Sequence, residues 1–162
     1  LPRELFDKMV AAKNFQSGLA TIRQIEFALF DMLLHTEYVP GRQGAHRDAR
    51  AVLAAARREV AVVPRPDYDR FMHGFGHIFA GGYAAGYYAY IWSEVLDATT
   101  VQWIKNHGGL TRENGDRFRA KLLSQGGSKD ALQLFRDFAE QEPDIQPLLE
   151  RRGLTVEPTT EK

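Results

Sequence analysis

Residues 17–35, Ser17-Gly-Leu-Ala-Thr-Ile-Arg-Gln-Ile-Glu-Phe-Ala-Leu-Phe-Asp-Met-Leu-Leu-His35, decide the fold of this chain. Their apolar side chains recur at helical spacing in two stripes: Ile22, Ile25, Leu29, Met32 and Leu33 in one, and Phe27, Phe30 and Leu34 in the other. A helix that is apolar on two sides is buried between neighbours, so the segment predicts a core helix. Ser17 is the expected N-cap, because its hydroxyl can accept a hydrogen bond from a free backbone amide.

The sequence on both sides continues the helical pattern. Pro64 and Pro66 end one predicted helix, and Gly108-Gly109 end another, as proline and glycine commonly do. The predicted helices cover residues 4–15, 17–35, 45–62, 87–106, 111–123 and 128–140, with a last turn over 143–152. No segment has a convincing alternation of apolar and polar residues, so the predicted class is all-α.

Composition excludes several classes of protein. Lysine and arginine number 21 and aspartate and glutamate number 21, which argues against a nucleic-acid binder. The absence of cysteine excludes disulfide scaffolds and thiolate zinc sites. No apolar run approaches the roughly 20 residues that span a bilayer, so no membrane association is expected. A cytoplasmic globular protein fits these observations. The chain starts at Leu1, which we interpret as a piece of a longer protein.

Residues 73–90 have an unusual composition. They contain five glycines, four tyrosines and two of the five histidines. Glycine at this density disfavours helix, at about 1 kcal/mol per residue relative to alanine, and favours a loop that approaches a ligand. The tyrosines allow two interpretations. Tyr83, Tyr87, Tyr90 and Glu94 would share one face of a continuous helix. The three phenols could donate hydrogen bonds to an oxyanion, or the tyrosines could be ordinary core aromatics.

The histidines do not predict a metal site. His73 and His77 have the i, i+4 spacing of a helical metal pair, but Gly74 and Gly76 lie between them and no acidic residue completes a ligand set. A structural or general-acid role is the better interpretation. No catalytic role is predicted for His35, His46 and His107.

The glycine- and tyrosine-rich segment resembles a signature of the M3 family of zinc oligopeptidases. The matching segment is Phe75-Gly-His-Ile-Phe-Ala-Gly-Gly-Tyr-Ala-Ala-Gly-Tyr-Tyr-Ala-Tyr-Ile-Trp-Ser-Glu-Val-Leu96. Further similar segments are 5–19, 23–31, 115–119 and 123–130. The resemblance implies that residues 1–154 are the helical C-terminal portion of a metallopeptidase catalytic domain, followed by a flexible tail over 155–162.

The resemblance also implies where the chemistry lies. Zinc in the family is held by a His-Glu-x-x-His helix and a later glutamate, and both would lie upstream of Leu1. This chain would therefore hold no zinc ligand and be inactive alone. Matching the motif assigns Tyr83 and Tyr90 to oxyanion stabilisation, and His77 and Tyr87 to substrate contact. Gly81 and Gly82 belong to the loop that closes over a bound peptide, so Tyr83 would lie on a loop and helix would begin near Tyr87.

Two hypotheses follow from these residues. In the first, the chain is part of a zinc oligopeptidase that hydrolyses short peptides and needs a missing N-terminal, zinc-bearing portion. In the second, it is a non-catalytic helical module or a split subunit that completes such a partner. Either fragment should expose apolar surface, with the helix from Ile22 to Leu34 as the candidate, through which a homodimer could form.

Overall fold

A computed structural model describes residues 1–41 and 48–155 of the chain. Over those ranges it contains helices and no β-strand, so the predicted all-α class is confirmed. The α-helices are α1 (Arg3–Ala11), α2 (Ser17–Thr36), α3 (Ala49–Val60), α4 (Gly76–Phe79), α5 (Ala89–Asn106), α6 (Arg112–Lys121), α7 (Ala131–Ala139) and α8 (Gln146–Arg151). Two 3-10 turns, Phe71–Gly74 and Leu123–Gln125, complete the regular structure.

The helix boundaries differ from the predicted ones at several ends. Ser17 is the first residue of α2 and not its N-cap, because the preceding Gln16 takes a left-handed conformation with φ of 53° and occupies that position. Helix α1 ends at Ala11, after which residues 12–16 form turns. Helix α3 begins at Ala49, where the Asp48 carboxylate accepts a hydrogen bond from the amide of Ala51 at 2.8 Å.

Some predictions fall on residues that the structure does not describe. Gly44 and His46, and the first residues of the predicted helix 45–62, lie outside the described ranges. The predicted tail over 155–162 also lies outside them, except for its first residue.

The chain divides into two compact units, Leu1–Ile91 and Trp92–Lys162. In the first unit, α2 packs against α3 around fully buried Phe30, Val52 and Ala56. The segment that follows α3 completes this core with Phe75, Ile78 and Tyr87, which are all buried. Residues 75–87 of the segment that resembles the family signature therefore pack against α2 and α3.

A charged cluster also joins α2 to α3. Glu26 is 2% exposed, and its carboxylate accepts hydrogen bonds from Arg23 at 2.5 Å and from Arg57 at 2.9 Å. Arg57 also donates to Asp69 at 2.5 Å, in the segment that leads to the 3-10 turn. Burial alone would raise the pKa of Glu26, but the hydrogen bonds from Arg57 and Arg23 outweigh it and lower the pKa.

The apolar surface of the first unit is not where the sequence predicted it. No side chain between residues 21 and 34 of α2 is exposed, since neighbouring elements cover that helix. The large exposed apolar side chains of this region lie on α1 and just after it: Leu5, Phe6, Met9, Val10 and Phe15. The prediction that Ile22 to Leu34 forms the exposed apolar surface is wrong.

The second unit has its own core of Trp103, Phe135, Phe138 and Ala139. Buried Asn114 donates to the carbonyls of His107 and Gly109 at 2.9 and 2.8 Å and so satisfies backbone groups at the end of α5. An apolar cavity of about 510 Å³ in this unit is lined by residues of α6, α7 and their connection, among others. Within the described ranges, no helix is long and apolar enough to cross a membrane.

Candidate active site

The glycine- and tyrosine-rich segment folds as a chain of turns that leads into α5. His73 lies in the 3-10 turn and His77 in the single turn of α4, so the two do not share one helix. Helix α5 begins only at Ala89. Gly82 and Ala85 have positive φ values of 80° and 53°, which interrupt any helix through this region.

The interpretation of Tyr83, Tyr87, Tyr90 and Glu94 as one face of a continuous helix is therefore wrong. Tyr83 and Tyr87 precede α5, and only the last two residues of that set lie on it. The Glu94 carboxylate instead pairs with Arg152. The expectation that Tyr83 lies on a loop is confirmed, with α5 starting two residues later than the predicted Tyr87.

The turns nevertheless bring three tyrosine rings and one imidazole together. The rings of Tyr83 and Tyr90 stack with centroids 4.9 Å apart, and the ring of Tyr87 lies 5.0 Å from that of Tyr90. The imidazole of His77 lies 6.1, 5.8 and 6.3 Å from the rings of Tyr83, Tyr87 and Tyr90. We call these four residues the His-Tyr cluster.

Gly81 allows the backbone to fold back on His77. A Cβ atom at Gly81 would lie 2.9 Å from both the Cα and the carbonyl oxygen of His77, closer than real Cβ atoms come. The same carbonyl accepts a hydrogen bond from the Tyr83 amide at 3.0 Å. Gly82 follows with a left-handed backbone that glycine adopts without strain. The two glycines thus place Tyr83 next to His77.

The members of the cluster differ in their exposure. Tyr90 is 40% exposed, His77 is exposed and Tyr83 is half-buried. Tyr87 is only 9% exposed, with its ring 5.0 Å from that of Phe75 and its hydroxyl donating to the Gln24 side chain at 3.1 Å. Tyr83 and Tyr90 therefore present phenol groups that a bound molecule can reach, whereas Tyr87 is part of the core.

The environment raises the pKa of two tyrosines of the cluster, Tyr90 and Tyr87. A hydrogen-bonding interaction with the Tyr83 hydroxyl raises the pKa of Tyr90, and desolvation adds to the rise. Burial raises the pKa of Tyr87, although the charge of Arg23 opposes it. Since the ordinary pKa of tyrosine is already about 10, these hydroxyls are neutral hydrogen-bond donors at neutral pH.

No metal centre accompanies the cluster. Within the described ranges, no three side chains of histidine, cysteine, aspartate or glutamate are arranged to hold a metal ion. The residues around His73 and His77 therefore do not fit zinc.

The sequence interpretation missed two residues that support the cluster. Asp31 is fully buried on α2 and accepts hydrogen bonds from the backbone of the tyrosine segment, and Gln24 accepts one from the Tyr87 hydroxyl. Asp31 could have been suspected, because a carboxylate between two apolar stripes must find buried partners.

Comparison with known sequences decides the family. The profile described as peptidase family M3 matches residues 1–154, which include the whole His-Tyr cluster. This chain belongs to peptidase family M3. The predicted resemblance is confirmed, and the chain shares 48% identity with oligopeptidase A of Escherichia coli K12 over 154 residues. It shares 40% with the probable cytosolic oligopeptidase A of Arabidopsis thaliana and 40% with the dipeptidyl carboxypeptidase of E. coli K12.

The M3 chain aligns with only part of each of these relatives. The alignments cover 95%, 95% and 96% of this chain but 22%, 22% and 23% of the respective relatives. The chain therefore spans between a fifth and a quarter of the length of the relatives it matches.

Proposed function

We propose that this chain is the C-terminal part of a zinc-dependent oligopeptidase that hydrolyses short peptides, and that it supplies the groups that stabilise the oxyanion. The observation that carries the proposal is the convergence of His77, Tyr83 and Tyr90 in a chain of peptidase family M3. Membership of family M3 supports a peptidase function, because the family consists of peptidases.

Tyr83 and Tyr90 suit the oxyanion role because they are neutral donors side by side. Attack on a peptide carbonyl creates a tetrahedral intermediate whose oxygen carries negative charge. Two phenols whose rings stack at 4.9 Å can both donate to that oxygen. The Tyr83 hydroxyl raises the pKa of Tyr90, so the Tyr90 proton is in place before charge develops.

His77, Gly81 and Gly82 would hold the peptide. The imidazole of His77 is exposed beside both phenols and can form a hydrogen bond with a substrate backbone group. The glycines lack side chains, and no heavy atom lies within 4 Å of a Cβ position at Gly82, so a peptide can approach the backbone there. Tyr87, buried and bonded to Gln24, supports these residues instead of contacting the peptide directly.

The zinc of the whole enzyme would be held by residues outside this chain. Within the described ranges, no group of three potential ligands could hold the ion by itself. In this proposal the chain contributes substrate binding and polarisation of the scissile carbonyl. We expect well below one equivalent of zinc in the purified chain and no peptidase activity from it alone. Tightly bound stoichiometric zinc would contradict that expectation.

A second candidate function is a non-catalytic helical module or a split subunit that completes a zinc-bearing partner. It rests on the helical fold of the described residues, which contain no group of three side chains able to hold a metal ion by themselves. Mixing the chain with the matching upstream portion and measuring cleavage of a short fluorogenic peptide tests both. Cleavage by the mixture supports the peptidase role and is also the result expected of a split subunit, whereas association without cleavage supports the non-catalytic module.

The location and assembly of the protein are part of the proposal. A cytoplasmic location accords with the name of the cytosolic Arabidopsis relative, and nucleic acid is not expected to bind a chain of zero net charge. Homodimerisation would use the exposed apolar side chains of α1, such as Phe6 and Met9. Light scattering tests it, and a strict monomer would count against it.

A further inference from the structure

A buried carboxylate on α2 binds the backbone of the tyrosine segment. Asp31 has 0% exposure, and both of its oxygens are used. Oδ1 accepts a hydrogen bond from the Ala85 amide at 2.9 Å, and Oδ2 accepts one from the Tyr87 amide at 2.9 Å. Nδ1 of His35 lies 3.0 Å from Oδ1 and 2.8 Å from the Asp31 carbonyl oxygen. The two amide contacts join α2 to both ends of the turn formed by residues 85–87.

The turn that Asp31 holds is conformationally unfavourable by itself. Ala85 has a φ of 53°, in the left-handed region that is unfavourable for a non-glycine residue. A residue remains in that region only when its surroundings determine the conformation. Asp31 accepts a hydrogen bond from an amide at each end of this turn and can so offset the strain at Ala85.

The position of both reactive phenols depends on this turn. Tyr83 lies two residues before Ala85, and Tyr90 lies in the first turn of α5, three residues after Tyr87. Tyr87 is itself fixed at two points on α2, by its amide to Asp31 and by its hydroxyl to Gln24. A shift of residues 85–87 therefore moves Tyr83 and Tyr90 relative to each other.

We propose that Asp31 is a positioning residue for the peptidase reaction: it fixes the 85–87 turn so that the phenols of Tyr83 and Tyr90 face the same oxyanion. The proposal deepens the function proposed above and rests on it. Asp31 touches neither substrate nor metal in this account. Its effect passes through the backbone amides of Ala85 and Tyr87.

Amide hydrogen exchange in the full chain tests the anchoring directly. Asp31→Asn keeps the shape of the side chain but replaces one carboxylate oxygen with an NH2 group. That group cannot accept a hydrogen bond, so one of the two backbone amides loses its acceptor. The amides of Ala85 and Tyr87 should then exchange about tenfold faster, the loss expected for one hydrogen bond, while amides of α3 stay unchanged. Unchanged exchange at both amides overturns the proposal, as does an equal acceleration in α3.

Two further variants make this measurement decisive. Asp31→Glu keeps the charge and both oxygens but displaces them by one methylene, so exchange at Ala85 and Tyr87 should lie between wild type and Asp31→Asn. If Asp31→Asn does not fold, the exchange rates are measured in Asp31→Glu instead. Equal acceleration of amide exchange at Ala85, at Tyr87 and in α3 would then overturn the proposal. Asp130→Asn is the matched control, because Asp130 also accepts hydrogen bonds from two backbone amides, those of Leu132 and Gln133, but at the start of α7.

Kinetics of the whole peptidase separates this inference from the proposed function. Asp31→Asn should lower kcat about 10- to 100-fold, as expected for misplaced catalytic groups, and change KM by less than about threefold. If kcat is unchanged while Tyr83→Phe lowers it, the positioning role is wrong and the proposed function stands. If Tyr83→Phe has no effect either, the oxyanion role fails, and the exchange measurement alone decides whether Asp31 anchors the turn.

Discussion

The rings of Tyr83 and Tyr90 stack with their centroids 4.9 Å apart and their planes at 29°, although one residue lies on a turn and the other on a helix. Seven positions in sequence separate them, with a left-handed Ala85 between. The contact therefore depends on how the turn is folded. It places two neutral hydrogen-bond donors side by side next to His77.

The first prediction concerns the pKa of Tyr90. Tyr83→Phe removes the hydroxyl that interacts with Tyr90, so the pKa of Tyr90 should fall toward the ordinary value of about 10. An NMR titration of the chain with ring-labelled tyrosine measures it. Tyr88→Phe is the control, because Tyr88 is 51% exposed and is a sequence neighbour of the cluster without belonging to it. An unchanged pKa of Tyr90 in Tyr83→Phe would show that the hydroxyls do not interact.

The second prediction concerns the close approach at Gly81. In Gly81→Ala the new Cβ would lie 2.9 Å from the backbone of His77, so the His77–Tyr83 backbone hydrogen bond must shift. We expect the free energy of unfolding to fall by about 1–3 kcal/mol and the Tyr83 amide to exchange faster. Gly86→Ala is the matched control, since its nearest contact would be an ordinary 3.5 Å. Equal effects of the two substitutions in chemical unfolding would contradict the structural role of Gly81.

The third prediction concerns acid stability. The pKa of Glu26 is lowered in the folded chain, so its ionised form favours folding above the ordinary pKa of glutamate. That contribution is lost as the pH falls through the lowered pKa. We expect Glu26→Gln to reduce the free energy of unfolding at neutral pH by about 1–3 kcal/mol, because it removes the Glu26 charge from Arg23 and leaves Arg57 paired with Asp69 alone.

The same variant should flatten the pH dependence of stability. Urea unfolding of wild type and Glu26→Gln at neutral and at acidic pH measures this dependence. The difference in the free energy of unfolding between the two chains should be smaller at acidic pH. Glu4→Gln is the control, because its pair with Lys8 is exposed and should contribute less than about 1 kcal/mol. If the difference in the free energy of unfolding between wild type and Glu26→Gln stays constant with pH, the ionised Glu26 side chain does not stabilise the fold.

The helices of the fold were predictable because each has a periodic apolar face. Helix α2 matches its predicted span to within a residue at each end, since Phe30 and its neighbours recur at helical spacing and bury against α3. The exposure of α2 was not predictable, because the partners that cover it come from residues 49–87. Periodicity reports which face is apolar and not what lies on it.

The site itself was predictable only in part. His77, Tyr83 and Tyr90 came from the family signature, and their side chains do meet. The turn at Ala85 could not be predicted from local pattern, because a left-handed alanine depends on a hydrogen bond to Asp31, 54 residues earlier. The position of Asp31 between apolar stripes indicates a buried carboxylate, but its partners could not be predicted, since they are backbone amides and leave no mark on the residue types around them.

The kinetics of Tyr83→Phe and Tyr90→Phe in the whole peptidase tests the central claim most directly. Each substitution removes one hydroxyl and keeps the ring, with Tyr88→Phe as the matched control. We predict that kcat for a short peptide falls about 100- to 1000-fold in each of the two variants while KM changes little, because the lost donor acts on the transition state. An unchanged kcat in both would contradict the claim that these phenols stabilise the oxyanion.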